Sequence, residues 1–125
     1  MGVNALIKID SVSFGVIVIK GKKYRMRDVV IFPDGTVQRR KFSRWFSNHH
    51  KYGREDIVNL VAVGAETVVI GTGIYSGVKL TEAMREYANE SKCELVDLPS
   101  RDAIRKFNEQ VDSEHRVGAL IHILC

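Results

Sequence analysis

Near residue 54 the pattern of apolar and polar positions changes period, and the two sides predict different architecture. Before it, apolar residues alternate or run in short blocks. Ala5, Ile7 and Ile9 alternate with Lys8 and Asp10, which predicts a strand of period two. Phe14 to Ile19 is a second apolar run, broken by Gly21 between lysines. Tyr24 to Phe32 is a third, with Val29-Val30-Ile31 at its centre. Pro33-Asp34-Gly35-Thr36 then supplies a turn, since proline fixes φ and glycine accepts a positive one. Val37 to Lys41 returns as a short strand. The pattern predicts an antiparallel meander over 1–41.

From residue 54 the spacing becomes helical in places. Ile57, Leu60 and Val61 fall at i, i+3 and i+4 behind Glu55-Asp56, whose charges suit a first turn, and Gly64 is placed to end that helix. Residues 66–70, Glu-Thr-Val-Val-Ile, read as a buried strand that runs into Gly71-Thr72-Gly73, with a helix a few residues on. Leu80, Ala83, Met84, Tyr87 and Ala88 form one helical stripe. Cys93 to Val96 is a short strand. Pro99-Ser100 offers an N-cap to a third helix striped by Ala103, Ile104, Phe107 and Val111. Val117 to Ile121 closes as a buried strand. Residues 54–125 therefore predict an α-β-α-β-α-β order, and alternating strands and helices imply a sheet covered on both faces.

Size and composition add limits. The 125 residues suit a single domain over 1–125, and an apolar share of 45% is enough for a core. No apolar run nears the roughly 18 residues that span a bilayer. The start, Met1-Gly2-Val3-Asn4, lacks the basic head and apolar core of a signal peptide, and Ile7 stands where a myristoylation signal carries Ser or Thr. The expectation is a cytoplasmic protein with no membrane contact. Its two cysteines, Cys93 and Cys125, are too few for a disulfide scaffold and are expected to stay reduced.

The net charge of +4 conceals an asymmetry. Residues 1–54 hold 12 Lys and Arg against 3 Asp and Glu, whereas residues 55–125 hold 7 against 12. The excess is thickest in Arg39-Arg40-Lys41-Phe42-Ser43-Arg44-Trp45-Phe46. Cations between aromatics suit phosphate contact and base stacking, which makes nucleic-acid binding through 39–54 one alternative. A solvated strand end with its aromatics packed down is the stronger reading of the same residues.

Gly71-Thr72-Gly73 is the best candidate site, because a strand ending in glycines is where α/β proteins turn backbone N–H groups toward a ligand, although a tight turn whose glycines let helix and strand pack closely is the stronger reading of the same residues. It is not the dinucleotide fingerprint. Gly77 falls one residue late, and Asp97, the acid ending the next strand, lies 24 residues beyond Gly73 where about 20 is expected. No cofactor is expected. His49 and His50 are adjacent and point apart on an extended segment, a poor metal pair. His122 and Cys125 face opposite sides at their spacing, which argues against a nucleophile pair. Cys93 reads as a small core residue. No catalytic triad, paired carboxylates, phosphate loop or zinc spacing is present, and no metal is expected.

Taken together, the meander with Pro33-Asp34-Gly35, His50-Lys51 before a helix, Val68 to Gly73, Asn108 in the third helix and the ending Arg116 to Cys125 resemble a known family. It is the small domain of unknown function first described from a methanogen protein. Its mammalian members are an adipogenesis-associated cytoplasmic protein and a mitochondrial complex I assembly factor. The resemblance implies an α/β (α+β) fold of three layers. A mixed central sheet carries helices on both faces, beside an N-terminal antiparallel β-hairpin subdomain. It also implies no established enzymatic activity. The family's glycine loop corresponds to Gly71, Thr72 and Gly73, its loop histidine to His50, and its ending to His122 and Cys125. Arg44 to His49 depart from its pattern.

The resulting expectation is a non-enzymatic protein- or small-ligand-binding domain, comparable to assembly and regulatory factors. An anion-sized cleft is expected between Gly71, Thr72 and Gly73, His50, His122 and one of Arg39, Arg40 or Arg44. A protein partner or a small anionic ligand would use it, and a homodimer is compatible with it. The main alternative is an enzyme on a small polar or phosphorylated substrate, with His50 or His122 as acid and base.

Overall fold

The computed structural model describes residues 7–41, 51–111 and 116–125. Ala5, Arg44, Trp45, His49 and His50 lie outside them. The first strands are β1 (Ile9–Ser13), β2 (Val16–Ile19), β3 (Lys22–Arg25), β4 (Val29–Ile31) and β5 (Val37–Arg39). β6 (Lys51–Tyr52), a 3-10 turn (Arg54–Asp56) and α1 (Val58–Ala62) follow. Then come β7 (Thr67–Gly71), β8 (Lys79–Leu80), α2 (Glu82–Glu90), β9 (Glu94–Leu98), α3 (Ser100–Val111) and β10 (Val117–Ile121).

β1, β2 and β3 form an antiparallel three-stranded hairpin sheet. The central sheet runs β5-β4-β10-β7-β9. Within it β10 pairs antiparallel with β4 and parallel with β7, and β7 pairs parallel with β9, so the sheet is mixed. β6 and β8 make a small parallel pair.

Strand periodicity distributes the core. Side chains alternate along a strand, so successive residues of β10 and β7 face opposite layers. Val117, Ala119, Ile121 and Val69 join Ile17, Ile31 and Phe107 in one core, between the central sheet, the hairpin sheet and α3. Leu120, Val68 and Ile70 join Leu60, Met84 and Ala88 in the other, beneath α1 and α2. The inner strands β7 and β10 are thus buried on both faces, as their continuous apolar runs require. Cys93, 5% exposed, packs in the second core.

Several predicted elements are cut differently. The run from Tyr24 to Phe32 is two strands, because Met26 takes φ +67 and turns the chain from the hairpin sheet into the central one. Phe14 is a turn residue, and β2 begins after Gly15. Leu80 belongs to β8, and α2 begins at Glu82, capped by the Thr81 hydroxyl, which accepts from the Met84 N–H. The glycine turn therefore leads into an extended segment, not into a helix. Ser100 is no cap but the first residue of α3. Gly64, at φ +90, does end α1. Asn108 has a clear structural use. Its side-chain amide accepts from the Ile9 N–H at 2.8 Å and donates to the Ile9 carbonyl at 2.9 Å, fastening α3 to β1. Among the described residues no helix is long and apolar enough to cross a membrane.

Candidate functional site

The glycine turn is occupied by the protein itself. The Thr72 N–H donates to the Leu98 carbonyl at 2.8 Å and the Gly73 N–H to Ser100 Oγ at 2.9 Å. Ser100 in turn donates to the His122 carbonyl at 2.5 Å. The chain's last residues lie across the turn: Ile74 N–H reaches the Leu124 carbonyl, while the Tyr75 and Gly77 N–H groups converge on the Cys125 carbonyl at 3.0 and 2.8 Å. Gly73 is required because a Cβ there would stand 2.5 Å from the Cys125 backbone. The expected anion cradle on the Thr72 and Gly73 amides is therefore corrected. Both donors are spent internally, and the glycines serve close packing of backbone on backbone.

His122 leaves β10 at the edge of this turn, and its N–H donates to the Gly71 carbonyl at 3.0 Å. Its side chain reaches Asp28. His122 Nδ1 lies 2.9 and 3.0 Å from the two Asp28 carboxylate oxygens. An ionised carboxylate only accepts, so Nδ1 carries the proton. The Tyr52 hydroxyl donates to the same carboxylate at 2.6 Å. Asp28, Tyr52 and His122 are all buried. Burial raises the Tyr52 phenol well above its ordinary range, and the Asp28 charge beside it adds to the effect.

Arg40 joins this group to the surface. Its backbone N–H donates to the Asp28 carbonyl at 2.7 Å. Its guanidinium makes a two-pronged pair with Asp56, Nε at 2.7 Å and Nη2 at 3.0 Å, and lies over the Tyr52 ring 4.7 Å from its centre. Burial weakens its charge, and the Asp56 hydrogen bond and charge outweigh that, so the guanidinium is held charged more firmly than a free one.

Arg40 and His122 meet on one cleft of about 410 Å³. Asp28, Arg27 and Lys41 complete its polar lining, and Met26 and Leu124 its apolar wall. The structure thus brings together Arg40 and His122 among the predicted site residues. Gly71, Thr72 and Gly73 do not line this cleft. His50, also expected in it, lies outside the described residues. Arg39 turns away and lies over the Tyr24 ring at 5.4 Å. Arg54, from the same basic stretch, lies over the Tyr87 ring at 4.9 Å. Arg39, Arg40 and Arg54 thus each rest on a ring within the protein, and residues 42–50 of the basic stretch lie outside the described residues.

Asp28, Tyr52, Arg27 and Met26 were missed by the sequence reading. One signal was available: Asp28 is one of only three acids in the first 54 residues and directly precedes the apolar core of a strand. Its partners lie 24 and 94 residues away, beyond any local pattern. Among the described residues no three His, Cys, Asp or Glu side chains cluster closely enough to hold a metal.

The fold recurs in solved structures of similar proteins. A conserved hypothetical protein, PH1505 from Pyrococcus horikoshii OT3, superposes with a TM-score of 0.82 at 28% identity, over 94% of this chain and 99% of that one. MT938 superposes with a TM-score of 0.79 at 25% identity, over 95% and 99%. A Bordetella pertussis protein, described as an Mth938-like domain, shares the fold at 13% identity and a TM-score of 0.71, over 98% and 92%. The sequence pattern of the proteins of unknown function DUF498/DUF598 matches residues 9–122, nearly the whole chain, and this chain belongs to that family.

Proposed function

We propose that this chain is a non-enzymatic cytoplasmic binding domain whose ligand site is the Arg27–Lys41 cleft, and that the ligand is a small anion. One observation carries the reading. Arg27 and Lys41 line a concave site, and among the described residues neither has a carboxylate partner. The Arg27 Nη2 donates to the Arg40 carbonyl at 2.7 Å, which holds the guanidinium at the cleft and leaves its other donors for a ligand. A cleft of about 410 Å³ falls within the usual size for small-molecule sites. The resemblance to assembly and regulatory factors agrees with a binding role.

The test is a titration of the labelled protein with acetate and with inorganic phosphate, followed by amide NMR shifts. Saturable shifts at residues 26–28, 40–41 and 124 support the site, and the double variant Arg27→Gln/Lys41→Gln abolishes them. Shifts that persist in the variant overturn it.

A second reading has one observation behind it. The Asp28–His122 pair is the arrangement that orients a histidine as a general base, with Nδ1 on a carboxylate and Nε2 as proton acceptor. Burial of Nε2 speaks for the binding reading, because a substrate has to reach that atom. Turnover of any phosphorylated or carboxylate compound by the protein, lost in His122→Gln, would favour the enzyme.

A further inference from the structure

The cleft has an apolar side that an inorganic anion leaves unused. Met26 and Leu124 form that wall. Met26 is 64% exposed although it lines a concave site, and its backbone sits at φ +67, a conformation most side chains avoid. Exposed methionines taken singly need no explanation. Here the exposure coincides with a backbone cost of about 1 kcal/mol or more, and such costs gather at binding sites. The apolar surface also continues outward. The Met26 N–H donates to the Gly15 carbonyl at 2.9 Å, and the Gly15 N–H donates to the Ile123 carbonyl at 2.7 Å. This brings the β1–β2 turn against the chain's last residues. Phe14, next to Gly15 on that turn, is 59% exposed. Met26 and Leu124 therefore form an apolar rim beside a wall carrying Arg27 and Lys41, and the turn that carries Phe14 lies next to Met26. Methionine suits such a rim because its flexible thioether adapts to varied apolar shapes.

Resting on the anion-site reading above, we infer that the ligand is an amphiphilic anion: an acidic head held by Arg27 and Lys41, with an apolar tail laid across Met26 and Leu124 toward Phe14. The lining chemistry favours this over a purely polar anion, which would leave the apolar wall wet. It also favours it over an apolar cation, which would meet the Arg27 and Lys41 charges at the same wall.

Isothermal titration of the full chain with octanoate, acetate and octylamine, each below its micellar concentration, separates head from tail. Octanoate is expected to bind about tenfold or more tightly than acetate, the gain from burying roughly two methylenes. Octylamine is expected to bind at least about tenfold more weakly than octanoate. Met26→Gly is the informative variant, because glycine accepts the positive φ and preserves the fold, which a thermal melt checks. It should reduce the advantage of octanoate over acetate, because the Met26 share of the tail's apolar contact is gone while Leu124 remains. Equal affinity for acetate and octanoate in the unaltered protein overturns the amphiphile inference and leaves the anion site standing. Octanoate affinity unchanged in Met26→Gly also overturns it, because the tail then lies elsewhere. Binding of neither anion, or octylamine as tight as octanoate, overturns both readings.

Discussion

Replacing Gly73 by alanine tests whether the glycine turn exists to seat the chain's last residues. Gly73 has φ +118, and a Cβ there would stand 2.5 Å from the carbonyl carbon and oxygen of Cys125. No rotamer relieves that contact, because the obstructing atoms are backbone. The conformation alone costs an alanine about 1–3 kcal/mol. Moving the Cys125 segment away also weakens the two hydrogen bonds its carbonyl accepts from Tyr75 and Gly77, worth about 0.5–1.5 kcal/mol each. The expected loss is about 3–5 kcal/mol, a large part of a typical domain's stability. Gly21 is the internal control. Its φ is +80, and a Cβ there meets nothing within 4 Å, so Gly21→Ala carries only the conformational cost, about 1–2 kcal/mol. Urea unfolding of the two variants beside the unaltered protein measures both losses at once. The gap between them isolates the close approach of backbone to backbone. Equal losses would refute the reasoning, since the Cys125 contact would then contribute nothing.

Tyr52→Phe removes a buried donor to a carboxylate and should cost about 1.5–3 kcal/mol near neutral pH by urea unfolding. Its pH signature follows from linkage: the folded protein holds the phenol protonated above its ordinary pKa, so that contribution is intact below about pH 10 and is lost as pH rises beyond it. Unfolding titrations from pH 9 to 11 should therefore fall more gently for Tyr52→Phe than for the unaltered protein. Ser100→Ala leaves the Gly73 N–H and the His122 carbonyl without the hydroxyl that joins them, and a loss of about 2–4 kcal/mol is expected in the same assay. Asn108→Ala should cost about 1–2 kcal/mol and speed hydrogen exchange at the Ile9 amide, which loses its acceptor.

The glycine motif shows where reading along the chain stops. Its position at the end of a buried strand is visible in the order Val68-Val69-Ile70-Gly71, because a strand buried on both faces is continuously apolar. Its purpose is not visible. A glycine that admits a ligand and one that admits another stretch of backbone look alike until the neighbour is known, and the neighbour here is Cys125, 52 positions away. Ser100 shows the same limit. Following Pro99 it reads as a helix cap, yet the residue is 0% exposed and its hydroxyl ties the glycine turn to His122.

The sequence by itself determined the layering: the switch from period two to helical spacing near residue 54, the buried runs of the central strands, and the apolar stripes of α2 and α3. These are local patterns, and burying them needs only a sheet with covered faces. The tertiary structure alone decided which of the site's side chains meet. Asp28 and His122 meet because β4 and β10 pair side by side in the central sheet, Arg40 arrives through the β4–β5 pair, and Tyr52 comes from β6, outside that sheet. Pairing of distant strands sets which charges share a cleft, and no periodicity along the chain encodes that partnership.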